Sequence, residues 1–165
     1  ATAARHISQV CHKAVPEEAY LAALLHDFGF ILVDQNLHRR FQQVIDRLDE
    51  DVPTCEAETA ILTFDHCELG AAVTADWQFP PQIVDAIRYH HRPSAYRGEH
   101  QELVDVVAIS NFICSRRGVT SLGVHNVLPP GAEVFARLEI QRNRLVSLWD
   151  DLEETFARAD LIAAV

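Results

Sequence analysis

Apolar residues recur along this chain at steps of three and four and almost nowhere alternate in twos. That period puts them on one stripe of a helix, not on one face of a strand. Ala1 to Ala14 opens directly in the helical pattern with no capping residue ahead of it, as a chain cut within a helix would. A second helix starts at Pro16, where proline suits the first turn and Glu17 and Glu18 complement the helix dipole. Leu21, Leu24, Leu25 and Phe28 continue it, and Gly29 is a packing or termination point near its end. His38 to Leu48 is a shorter amphipathic helix with Phe41, Val44, Ile45 and Leu48 on one side, and Asp49 to Pro53 is a loop. Thr54 caps the longest helix, which runs to about Trp77, and Glu58 falls one position too far along to complete a capping box. On this helix His66, Gly70, Val73 and Trp77 share a face. Pro80 and Pro81 break the chain before a helix over Gln82 to His91, which Pro93 ends. Leu103 to Arg116, Ala132 to Leu138 and Ile140 to Ala163 complete the helical runs, with Gly118 to Gly131 as the longest loop. The pattern predicts an all-α, compact multi-helix bundle with no significant sheet, over 1–165 as a single domain.

Composition narrows the function. A chain of 165 residues with 48% hydrophobic and 23% charged residues has the balance of a globular domain with a sizeable core. No apolar run approaches the ~18 residues of a membrane span, and Ala1 to His12 carries no signal-peptide pattern. A cytoplasmic protein without a membrane role is the expectation. The net charge of −10 argues against a nucleic-acid partner, whose phosphates call for clustered Lys and Arg. Cys11, Cys55, Cys67 and Cys114 form no C-x-x-C pair. They read as small buried hydrophobes in a reducing compartment, not as a disulfide framework or a thiolate zinc site.

Nine histidines are the odder feature. In Leu24-Leu25-His26-Asp27-Phe28-Gly29 an imidazole and a carboxylate follow an apolar run. Burying the two side by side is costly unless they pair or bind something. His66 lies within Phe64-Asp65-His66-Cys67-Glu68, in the middle of a predicted helix, and His90 and His91 close another. Helical bundles build metal sites from side chains on facing helices, and imidazole with carboxylate suits Zn, Mn or Fe. Each cluster also has a plain structural reading: a core histidine at His66, a dipole-favoured pair at His90-His91, a hydrogen-bonded pair at His26-Asp27. His6, His12, His38, His100 and His125 sit in polar contexts and read as surface residues.

In order, Ala22-Ala23-Leu24-Leu25-His26-Asp27-Phe28-Gly29, then Asp65-His66 with Gly70, Trp77 and Pro80, then Ala86-Ile87 with His90-His91 and Pro93, resemble the HDOD (HD-related output domain) family. Glu58 is family-like too, and the resemblance runs over about residues 1–117. It implies an HD-domain-like helical bundle used in bacterial signal transduction. It belongs to the wider HD superfamily, whose relatives include cyclic-dinucleotide phosphodiesterases of the HD-GYP type. By resemblance, His26 and Asp27 match the HD pair, and His66, His90 and His91 match further ligands of one or two divalent ions (Fe, Mn, Zn or Mg). The family's later aspartate falls at Asn111, an uncharged and weaker ligand. Asp105 lies nearby but off the pattern. The first histidine of the pattern and the amino-terminal helical portion of a full HDOD domain are not matched in this chain. After His91 comes Arg92-Pro93-Ser94-Ala95-Tyr96-Arg97-Gly98, without the G-Y-P feature of the cyclic-dinucleotide enzymes.

Two functions follow. One is a signalling output or regulatory module without established catalysis, whose partners are other signalling proteins or domains, with a nucleotide as a conceivable ligand. The other is a metal-dependent phosphohydrolase acting on a phosphoester or nucleotide, with His26 and Asp27 at the catalytic centre and Arg92 or Arg97 on the phosphate.

Overall fold

The structure, a computed structural model, describes residues 1–48, 52–123, 127–141, 144 and 146–153. Its elements are α1 (Thr2–Cys11), α2 (Pro16–Leu25), α3 (Phe28–Arg47), α4 (Thr54–Leu62), α5 (His66–Asp76), α6 (Pro81–Tyr89), α7 (Gln101–Arg116) and α8 (Ala132–Arg137). A 3-10 turn spans Pro93–Ala95, and residues 146–153 are again helical. The described residues contain no strand, as the period of three and four requires.

Three boundaries differ from the sequence pattern. The helix expected from Thr54 to Trp77 is two helices, so His66 opens α5 and does not sit mid-helix. Thr63 takes the left-handed conformation (φ 72°), and Asp65 then caps α5 by accepting the Glu68 N–H at 2.8 Å. Such a cap contributes about 1 kcal/mol. Thr54 is the first helical residue behind Pro53 and makes no side-chain cap bond. Gly29 lies in the first turn of α3, not at the end of α2. The helix expected from His38 is the second half of α3, which kinks at Leu37 (φ −132°, ψ 35°).

The main core gathers Ile7 of α1, Ala19 and Ala22 of α2, Ile83 and Ile87 of α6, Ile109 and Ile113 of α7, and Leu138. Each large aliphatic side chain buried there contributes up to roughly 1.5–3 kcal/mol. Leu148 and Leu152 are fully buried in the same cluster, so the last helical run packs on this chain's own core. Leu145 and Phe156 lie outside the described residues. α2 seats alanines inward, and Leu24, expected on its apolar stripe, is 58% exposed. Asp105 is fully buried on α7, where Arg137 of α8 grips it at 2.6 and 2.8 Å and Gln101 donates at 2.9 Å. It is a structural clamp.

A second cluster holds Phe30, Val33, Phe41 and Val44 of α3 against Ala57 and Leu62 of α4. The main core and this cluster adjoin where α3 packs on α5, at two glycines. A Cβ on Gly29 would stand 2.1 Å from the His66 carbonyl oxygen, and one on Gly70 would stand 3.2 Å from Ile87 Cγ2. This contact brings Asp27, just ahead of α3, against His66 at the head of α5.

Candidate metal centre

Three helix ends and the inner face of a fourth helix meet at one place. His26 and Asp27 follow α2, and His66 and Cys67 open α5. His90 and His91 follow α6, and Asn111 comes from α7. His66 and His90 are buried, and Asp27 is about a fifth exposed, at 19%.

The imidazoles are oriented from behind. His26 Nδ1 donates to the Ala23 carbonyl at 2.9 Å, and His90 Nδ1 donates to the Ile87 carbonyl at 2.8 Å. Both acceptors are carbonyls one turn back, which a helix end leaves without an intrahelical partner. His66 Nδ1 lies 2.6 Å from Glu58 Oε2, and Glu58 Oε1 accepts the His66 backbone N–H at 3.0 Å. With each Nδ1 committed, each Nε2 faces inward. Asp27 Oδ1 lies 3.5 Å from His66 Nε2 and 3.6 Å from His90 Nε2, too far for hydrogen bonds. His26 Nε2 lies 3.3 Å from Asp27 Oδ2 without a hydrogen bond, and Oδ2 accepts from Ser121 Oγ. Asp27 Oδ1 and His26 Nε2 are buried with no hydrogen-bond partner among the described residues. Buried polar atoms are rarely left so.

Asp27, His66, His90 and His91 each offer a ligand atom, all within 4.8 Å of one another. His26 touches this set through Asp27 and edge-on against the His90 ring, with centroids 4.9 Å apart, but does not share the common 4.8 Å envelope. Phe30 stacks on His66 at 3.9 Å between centroids. A carboxylate beside imidazoles, of which His26, His66 and His90 are each held from behind at Nδ1, is an arrangement that can hold a divalent ion. The orphaned Asp27 oxygen fits that use.

The charges follow the packing. Burial pushes the Asp27 carboxyl up, but His26, His90 and His66 around it outweigh burial and hold it well below the usual carboxylate range. Burial lowers His66 as well, yet Glu58 and Asp27 raise it to about 9. His90 is lowered to about 4 by burial, and His91 goes well below its usual value for the same reason. Burial also pushes the Cys67 thiol well up.

The remaining sequence candidates are placed less centrally. Asn111 lines a small cleft with Asp27, Phe30, Thr54, His91, Ser115, Thr120, Ser121, Leu122 and Val127. Arg92 donates to Asp65 Oδ2 at 2.8 Å, and Arg97 donates to the Ser94 and Tyr96 carbonyls at 2.5 and 2.6 Å. Of the histidines read as surface residues, His12 and His38 are exposed, His6 and His100 are half-buried, and His125 lies outside the described residues. Sequence reasoning left two participants out of the site. Glu58, noted as a cap neighbour and as family-like but given no role at the site, is fully buried behind His66. Ser121, in the long loop after α7, reaches Asp27. The Asp65-x-x-Glu68 spacing is the signal that would have ended α4 early and put Glu58 beside His66.

Comparison with known proteins agrees with this architecture. The HDOD domain family model matches residues 1–93. The chain belongs to the HDOD family. An uncharacterised protein of Treponema pallidum (strain Nichols) is 24% identical to this HDOD chain over 101 residues, 61% of the chain and 20% of that protein. A crystal structure of a candidate signal transduction protein from Marinobacter aquaeolei VT8 superposes with a TM-score of 0.79 at 23% identity, over 99% of this chain and 37% of the other. An HDOD domain protein of unknown function from Geobacter sulfurreducens gives 0.74 at 24% identity, over 94% and 55%. A candidate phosphohydrolase from Shewanella amazonensis SB2B gives 0.63 at 16% identity, over 90% and 58%. At these identities the likeness carries the fold. The chain spans about a fifth of the curated relative and under two thirds of each structural neighbour. No described helix is long and apolar enough to cross a membrane.

Proposed function

We propose that this HDOD domain is a regulatory output module of signal transduction whose histidine–aspartate cluster holds one divalent metal ion. The observation that carries the metal is the buried Asp27 Oδ1, without a hydrogen bond and faced by the Nε2 atoms of two back-held histidines. Asp27, His66, His90 and His91 would hold the ion, with His26 beside Asp27 as a further ligand or orienting base. A bound ion supplies positive charge and Lewis acidity at that point. On the protein side it would tie the ends of α2, α5 and α6 together, a firm surface for other signalling proteins or domains to read.

Four observations favour a module over a phosphohydrolase. The cleft beside Asp27 has a volume of about 30 Å³, room for a water or an ion. No Lys or Arg stands among its described lining residues, whereas phosphoryl transfer relies on cationic clamps. Arg92 and Arg97 are engaged elsewhere, and the position matching the late aspartate carries the Asn111 amide. The hydrolase reading draws on the cleft's opening beside His91 and Asn111, where a phosphoester oxygen could approach.

Elemental analysis of protein purified without chelator, with a screen of p-nitrophenyl phosphate and bis-p-nitrophenyl phosphate, tests both. The expected result is about one equivalent of manganese on loading with Mn²⁺, lost in Asp27→Asn, and no turnover. Metal-dependent turnover lost in the same variant would overturn the non-catalytic reading. A folded protein that neither carries nor takes up metal would overturn the metal.

A further inference from the structure

Cys55 on α4 and Cys67 on α5 belong to different helices, but the turn at Thr63–Asp65 folds one back on the other. Their sulfurs, with one ring nitrogen each from His66 and His91, lie within 4.8 Å of one another. Cys67 Sγ stands 3.4 Å from His66 Nε2. Cys67 and His66 are fully buried, while Cys55 and His91 are half-buried and give access from outside.

We propose that Cys55, His66, Cys67 and His91 form a zinc seat that competes with the histidine–aspartate centre for His66 and His91. Two thiolates and two neutral imidazoles are a tetrahedral zinc donor set, and two thiolate charges neutralise the ion. Ligand atoms around tetrahedral zinc sit roughly 3.3–3.8 Å apart, so the set must close by only about 1 Å. Both thiols give up a proton on binding.

The seats exclude one another for a structural reason. Glu58 occupies His66 Nδ1, so His66 has one nitrogen to give, and it can serve one ion. Softness then sorts the metals. Zinc or cobalt takes the thiolate seat, and manganese takes Asp27 and His90 with the shared imidazoles. The inference borrows these imidazoles from the proposed centre, and its test separates the two.

Reduced full-length chain is titrated with Co²⁺ and read by near-ultraviolet absorption. A second titration with Mn²⁺ is read by electron paramagnetic resonance. A thiolate-to-cobalt charge-transfer band is expected, displaced by equimolar Zn²⁺, lost in Cys55→Ser and Cys67→Ser and kept in Asp27→Asn. Manganese binding is expected to survive Cys55→Ser and vanish in Asp27→Asn. Wild-type protein that binds cobalt without the band overturns the zinc seat, and no variant has to fold for that result. The band without manganese binding supports the seat and removes the Asp27-centred one. Added zinc that leaves manganese in place overturns the competition.

Discussion

Glu58 governs what His66 can offer a metal. Its carboxylate sits on Nδ1 and on the backbone N–H of the same residue, so ring and helix start are fixed together. An acceptor behind a ligating imidazole sets its tautomer and raises its basicity. Glu58→Gln keeps the shape but removes the charge, so metal affinity is expected to fall about 10- to 100-fold with helicity preserved. Competition against a chromophoric chelator measures this; unchanged affinity would refute the supporting role. At this scale the sequence was partly legible. His26, Asp27, His66, His90 and His91 stand out because polar residues interrupt apolar runs where a helix should be buried. Glu58 was not legible as their partner, because its contact with His66 depends on where α4 ends. The cysteines form no C-x-x-C pair and so read as small buried hydrophobes; Cys55 and Cys67 come together only across the turn between α4 and α5.

Among the elements, the decisive contact is that of α3 with α5. The first turn of α3 approaches the head of α5 closely enough that only a hydrogen fits on Gly29 Cα, against backbone atoms of His66 that cannot rotate away. Gly29→Ala must therefore push the two helices apart. A loss of at least about 3 kcal/mol is expected, at the upper end of overpacking costs, because backbone and not side chain has to move. Metal occupancy should fall with it, since Asp27 and His66 would separate. Urea unfolding with elemental analysis checks both, and a midpoint within error of wild type would sink the argument. The helical class and most helix cores were readable from the period of the apolar residues. The α4–α5 break is marked only by the Asp65-x-x-Glu68 cap, because the apolar spacing continues across Thr63 and no Gly or Pro stands there. The α2–α3 break at Asp27 is also hidden, and Gly29 beside it serves close packing, not termination.

For the whole molecule, the buried cluster makes stability depend on pH, and stripping the metal exposes the dependence. His66 is raised to about 9 in the fold against about 6.5 in an unfolded chain. Its contribution is fully present below about 6.5 and is lost as pH rises through about 9. His90 is lowered to about 4 and His91 further, so each favours the unfolded chain increasingly as pH falls below about 6.5. Asp27, held well below its ordinary value, contributes above about 4 and loses that contribution in stronger acid. The terms have opposite signs on the two sides of about pH 6.5, so metal-free protein should melt at its highest temperature near there and several degrees lower by pH 5 and by pH 9. Glu58→Gln removes the main source of the His66 shift and should abolish the alkaline fall while leaving the acid one. Saturating metal, which needs neutral imidazoles and an ionised carboxylate, should steepen the acid fall and lift the plateau above it. Thermal melts of chelator-treated protein from pH 4 to 10 test the set. An alkaline fall that persists unchanged in Glu58→Gln would mean that the Glu58–His66 pair is not what couples this fold to protons.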